Sequence, residues 1–201
     1  MKRILLALSL AVLLSPVLRA QNLTPEERNR AVKYLEKTRD EVLQATKGLS
    51  DAQWNFKPAP DRWSVAEIIE HIAATEDSLM DNVRNKVMKA PARTEADNVK
   101  ALDEMVLQRI PDRTTKAQAP EPLKPTNRFG SPKQSLKHFL DSRTETIAFL
   151  KKTDDLRQHA TDSLLRKKLD GYEWVLFVAA HSERHTKQIE EVKADPNFPK
   201  K

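Results

Sequence analysis

One helix-start signature recurs along this chain, and almost no glycine interrupts the segments it opens. Thr24-Pro25-Glu26-Glu27, Ser64-Val65-Ala66-Glu67 and Ser131-Pro132-Lys133-Gln134 share the pattern. In each, a hydroxyl can accept a backbone N–H of the first turn while a Glu or Gln three residues on reaches back. Pro25 and Pro132 also suit a first helical position, where the missing N–H costs nothing. Only three glycines occur in 201 residues, and the long segments alternate apolar and charged residues at helical spacing. The expectation is an all-α fold, and no convincing strand pair is read.

Helices are expected from Thr24 to about Lys47, Ser64 to about Lys89, Ser131 to about Lys152 and Gly171 to about Ala194, with a weaker one from Thr94 to Ile110. Inward stripes are Val32, Leu35, Val42, Leu43 and Thr46 in the first and Leu136, Phe139, Leu140, Ile147 and Leu150 in the third. Leu49 to Trp63 reads as a loop with one short turn at Ser50 to Gln53, because Pro58 and Pro60 forbid a continuing helix. Trp54, Phe56 and Trp63 are expected to fold that loop onto one end of a bundle. Pro111, Pro120, Pro122 and Pro125 mark a long connection, and a connection that long usually crosses a bundle or covers a site.

Residues 1–20 read as an export signal: Lys2 and Arg3, an apolar run from Ile4 to Leu14, then Leu18-Arg19-Ala20 before polar Gln21. The run is shorter than the roughly 20 residues of a spanning helix. The expected product is one domain, 21–201, in the periplasm or secreted, with no stable membrane anchor after cleavage. The absence of cysteine excludes disulfides, thiolate ligands and a cysteine nucleophile, so a metal would be held by nitrogen and oxygen. The formal charge of +6 falls to +3 without Lys2, Arg3 and Arg19. With acidic and basic residues interleaved, this argues against a nucleic-acid partner.

Chemistry concentrates in the last helix. Taking His181 as zero, Trp174 lies near +20°, Phe177 near −40°, Val178 near +60°, His185 near +40° and Gln188 near −20°, at about 100° per residue. Two histidines and an amide thus share a buried stripe and need polar partners. Histidines at i and i+4 can reach one metal ion from adjacent turns, and an ordinary hydrogen bond to each ring is the alternative. Ser182 stands where a zinc-protease HExxH motif has glutamate. His71 lies on the flank of the second long helix in line with Ser64, Thr75 and Ser78, either as a third ligand or as a partly exposed flank residue. Glu76 falls among the apolar positions of that helix and Arg143 interrupts the apolar stripe of the next. They read as a structural ion pair, with a catalytic Glu76 as the alternative. His138 and His159, among charged or polar neighbours, are expected to be solvated.

Trp63-Ser64-Val65-Ala66-Glu67, Glu70-His71-Ile72, a proline-rich crossover and His181-Ser182-Glu183-Arg184-His185-Thr186-Lys187-Gln188 together resemble the DinB-like superfamily of damage-inducible proteins, which is distinct from the DNA polymerase of that name. The resemblance spans residues 24 to 195. It implies a four-helix bundle with a long crossover connection, often a homodimer, in which His71, His181 and His185 coordinate zinc or nickel in a cavity at one end. Some members are thiol-dependent S-transferases or isomerases.

Three imidazoles on one divalent ion leave coordination positions open, as catalytic sites do. The expected function is therefore a metal-dependent enzyme, transferase-like or hydrolase-like, acting on a small molecule such as a thiol. Gln188 would orient a ligand from behind, and the aromatic loop would wall the pocket. The competing expectation is an exported stress or binding module in which the metal only holds helices together.

Overall fold

A computed structural model describes residues 22–93 and 98–200, so the export signal expected at 1–20 and the first residues of the helix expected from Thr94 lie outside the described residues. Four long helices make a bundle: α1 (Pro25–Thr46), α3 (Val65–Asn85), α5 (Pro132–Lys152) and α6 (Gly171–Lys193). The short α2 (Asp51–Asn55) follows α1, and α4 (Val99–Arg109) lies against α6. α3 packs on α5 and α6, and α1 packs on the same two, so the order around the bundle is α1, α5, α3, α6. No helix among the described residues is long and apolar enough to cross a membrane.

The three expected capping boxes form at Thr24, Ser64 and Ser131. Two more cap α2 through Ser50 and Gln53 and α6 through Asp170 and Glu173. Each satisfies first-turn N–H groups that would otherwise lack a partner. α3 stops at Asn85, earlier than expected, and a single 3-10 turn, Val87–Lys89, carries the chain on. α4 begins at Val99 under an Asn98 cap.

A two-stranded antiparallel hairpin corrects the expectation of no strand pair. β1 (Ala160–Asp162) and β2 (Lys168–Asp170) pair with Ala160 opposite Asp170 and Thr161 opposite Leu169. Three residues are too few to display a period of two, and the tight turn uses Arg166 at φ 55° instead of a glycine. His159, expected to be solvated, is partly buried beside this hairpin, its Nδ1 2.6 Å from the Ala90 carbonyl oxygen. His138 is partly exposed, paired with Asp77 at 2.7 Å and stacked on Phe129.

The core has two apolar halves. One gathers Leu35, Met80, Val83, Leu150, Tyr172 and the α6 residues from Trp174 to Ala179. The other gathers Val42, Trp54, Val65, Ile68, Ile69, Ile72, Phe139, Ile189 and Val192. Residues 68 and 69 thus meet 189 and 192, while 80 and 83 meet 174 to 178, so α3 and α6 run antiparallel.

A buried polar layer joins all four helices. Arg143 of α5 is fully buried and uses each of its nitrogens. Nε donates to both Glu76 oxygens at 2.9 and 3.1 Å, and Nη2 donates to Glu76 Oε2 and Ser182 Oγ at 2.8 Å each. Nη1 donates to the Leu35 carbonyl oxygen at 2.7 Å and Thr38 Oγ1 at 2.8 Å. Thr146 Oγ1 completes the Glu76 carboxylate at 3.0 Å.

A second buried network closes the opposite end. Arg157 donates to Asp103, Asp170 and Glu27 at 2.7 to 3.0 Å and lies 4.1 Å from the centre of the Tyr172 ring. Burial, reinforced by the neighbouring Asp170, pushes the Glu173 carboxyl up to about 8.

Arg143→Met should cost about 3–5 kcal/mol in urea unfolding, because it strands a buried carboxylate, and Glu76→Leu with Arg143→Met should recover part of that loss. Glu173 has its folded pKa above its unfolded value near 4.5. Its stabilising contribution is therefore full below that value and lost as pH rises through about 8. Glu173→Gln should accordingly flatten the fall in melting temperature between about pH 5 and about pH 9.

Candidate metal centre

The single helical turn between His181 and His185 sets both rings on the α6 face that meets α3, as the wheel requires. Their ring centroids are 4.4 Å apart. Antiparallel packing brings His71 of α3 to the same level, 5.0 Å from the His181 ring and 4.6 Å from the His185 ring. One ligand atom from each histidine lies within 4.8 Å of the others. Three nitrogens held by one ion at about 2.1 Å each lie about 3.4 to 3.6 Å apart. From separations of up to 4.8 Å, inward shifts of less than about 1 Å for each ring nitrogen let the three share one.

Hydrogen bonds prepare the rings for that role. His71 is 4 % exposed, which corrects the flank reading drawn from spacing: the crossover connection covers it. Its Nδ1 is 2.8 Å from the Leu123 carbonyl oxygen. A carbonyl can only accept, so Nδ1 carries the proton and the Nε2 lone pair is free. His185 Nδ1 lies 2.8 Å from Gln188 Oε1, an oxygen that also accepts from Arg113 Nη1 at 3.4 Å. Gln188 thus bonds to His185 on the ring edge away from Nε2.

Burial holds all three imidazoles below the usual histidine range. His181 and His185 lie well below it, with the neighbouring histidines acting in the same direction as burial. For His71 burial outweighs the Leu123 hydrogen bond, and Arg128 adds to the depression. Neutral rings near pH 7 have a lone pair for a cation, and the all-nitrogen donor set suits zinc, nickel and their neighbours. Trp63, expected only as part of an aromatic wall, packs against the site with its ring 4.9 Å from His71 and 6.5 Å from His185. Trp54 is buried in the core half below, and Phe56 meets Phe198 edge to face.

The residue that sequence reasoning passed over is Glu70. Its carboxylate accepts from the backbone N–H groups of Thr126, Asn127 and Arg128 at 2.8, 2.8 and 3.1 Å. Burial raises this carboxyl, but those amides and the Arg128 side chain outweigh it, and the net shift is downward. Arg128 in turn donates to the carbonyl oxygens of Pro122 and Lys124, on either side of Leu123. Glu70 therefore positions the loop whose carbonyl orients its neighbour His71. A charged residue next to a candidate ligand was the available signal. The other end of the crossover is pinned by Arg184, which donates to the carbonyl oxygens of Asp112 and Thr115, and by Arg113, paired with Glu191 at 2.6 Å.

Glu76, offered as a catalytic candidate, is not part of the three-histidine cluster. Both its oxygens accept from Arg143 and one from Thr146, the contacts of a buried ion pair.

Glu70→Ala should release the crossover while leaving the bundle intact. Amide exchange at Thr126, Asn127 and Arg128 is expected to accelerate by about tenfold or more with helical circular dichroism unchanged.

The comparisons with known proteins agree with this architecture. The sequence profile described as DinB superfamily matches residues 34–189, a stretch that contains all three histidines. YuaE, an uncharacterized protein of Bacillus subtilis (strain 168), is 31 % identical over 157 residues, which cover 76 % of this chain and 91 % of YuaE. The solved structure of YfiT from Bacillus subtilis, described as a probable metal-dependent hydrolase with an unusual four-helix bundle topology, superposes with a TM-score of 0.55. That match covers 88 % of this chain and 91 % of YfiT at 15 % identity. By its sequence profile, its relative and its fold, this chain belongs to the DinB superfamily.

Proposed function

We propose that the chain is a metal-dependent enzyme that uses His71, His181 and His185 to hold one divalent ion, zinc or nickel, and acts on a small molecule by hydrolysis. The observation that carries the reading is the convergence of three imidazoles, two of them with their Nδ1 protons committed elsewhere. Three protein nitrogens leave a position open for solvent or substrate, which separates a catalytic site from a closed structural one. An ion there supplies Lewis acidity, lowering the pKa of solvent or a thiol and polarising a carbonyl.

The chain's own residues have distinct tasks in this reading. The Leu123 carbonyl and Gln188 orient His71 and His185, and Glu70 keeps Leu123 in place. Trp63 excludes water from one side of the histidine cluster. Glu76 holds Arg143, which grips Ser182 and so sets the rotation of α6 beside His181.

Hydrolysis is preferred to thiol transfer for two reasons. YfiT, which shares the fold, is described as a probable metal-dependent hydrolase. The N-terminal residues read as an export signal, and exported proteins work away from the abundant thiols of the cytosol.

The test is to load the mature protein with zinc or nickel and assay ester and amide hydrolysis beside thiol conjugation, with and without chelator. Hydrolysis that disappears with chelator and in His181→Ala supports the proposal. Replacing one ligand is expected to cut metal affinity at least about 10-fold. Turnover that survives both treatments, or chelation that lowers only the melting temperature, sinks it.

A further inference from the structure

Threonine hydroxyls inside the described helices of this protein behave alike, with one exception. Thr38, Thr46, Thr144 and Thr186 each donate to the carbonyl oxygen four residues earlier, at 2.8 to 3.0 Å, and Thr146 Oγ1 lies 3.0 Å from both the Ser142 carbonyl oxygen and Glu76 Oε1. Thr75 makes no such bond, although the His71 carbonyl stands at the matching position. Its Oγ1 is buried without a hydrogen-bond partner among the described residues, in a residue only 4 % exposed. A buried hydroxyl left unpaired costs stability and calls for an explanation.

Placement supplies one. Thr75 follows His71 by one helical turn and is rotated from it by about 40° toward the apolar positions Ile72 and Leu79. Because α3 and α6 run antiparallel, with residues 68 and 69 beside 189 and 192 and residues 80 and 83 beside 174 to 178, Thr75 falls level with the α6 turn that runs from His181 to His185. The neighbouring histidines already have partners for their Nδ1 atoms: His71 is bonded to Leu123 and His185 to Gln188. The Thr75 hydroxyl makes no hydrogen bond to its own backbone, and among the described residues it is the buried hydroxyl without a partner on the helix that carries His71.

Resting on the metal-site reading above, we propose that Thr75 Oγ1 is a positioning group for the solvent or substrate atom that completes the ion's coordination, donating a hydrogen bond to it as negative charge develops there. The chain tolerates an unpaired hydroxyl in its resting fold because the partner arrives with the ion. Such a donor favours the charged form of the group it meets and so lowers that group's pKa.

The experiment compares the full mature chain with Thr75→Val, which keeps shape and removes the hydroxyl, and Thr75→Ser, which keeps the hydroxyl. Cobalt serves as the visible probe, and its stoichiometry is measured first. A wild-type chain that takes up no cobalt or zinc defeats the metal reading itself, and with it this inference. With the ion bound, the pH midpoint of the cobalt absorption band should rise by about one unit in Thr75→Val and stay near the wild-type value in Thr75→Ser. Without metal, Thr75→Val should melt no lower than the wild type, because an unpaired donor has been removed. An unchanged midpoint in fully loaded Thr75→Val overturns the proposal. So does a metal-free Thr75→Val that melts lower or fails to fold, since that result assigns the hydroxyl a structural partner.

Discussion

Arg143 is the pivot of this bundle. A guanidinium with no solvent contact must find an acceptor for each of its N–H groups inside the protein, and here it draws them from the other three long helices: Leu35 and Thr38 of α1, Glu76 of α3 and Ser182 of α6. Apolar packing alone tolerates small slides and rotations of one helix on another. A planar cation with directed hydrogen bonds does not. The layer thus gives the bundle a unique register between its two apolar halves, and registry is the best-attested use of a buried polar group. Ser182 is adjacent to His181, so the rotation that satisfies Arg143 also aims the histidine face of α6 at α3.

From that register the histidine cluster follows with little further specification. α3 and α6 bring the rings together, and the crossover between α4 and α5 orients and covers them. The crossover is an ordered strap with no helix of its own beyond a single 3-10 turn, Glu121–Leu123. It owes its order to charges on the helices it spans: Glu70 from α3, and Arg184 and Glu191 from α6, the last paired with Arg113 of the crossover itself. The far end of the bundle is closed by Arg157 among Glu27, Asp103 and Asp170. Charged networks thus tie the helices together at several levels, and the helices cannot shift without breaking one of them.

Much of this was legible in the residues. Helix starts could be read because a cap is a local event: Thr24, Ser64 and Ser131 bond to amides three residues away, within the reach of a sequence window. The shared face of His181 and His185 could be read because helical rotation is fixed. Glu76 and Arg143 stood out because charge does not belong on an apolar stripe. The hairpin at 160–170 was not legible, since three-residue strands carry no measurable alternation. Neither was the burial of His71, because its cover comes from Leu123, 52 residues away. His159 differs from its expectation for the same kind of reason: its partner, Ala90, is 69 residues away.

Sequence alone settled the properties that depend on neighbours along the chain: a helical framework, where its long helices begin, which faces are apolar, and which residue types are present to hold a metal. Tertiary structure decided what depends on distance through space. It paired Glu76 with Arg143, made Glu70 the organiser of the crossover, and left the buried Thr75 hydroxyl, one helical turn from His71, without a hydrogen-bond partner among the described residues. The physical reason is range: a helical wheel states which way a side chain faces, but only the packing of distant segments states what it meets there.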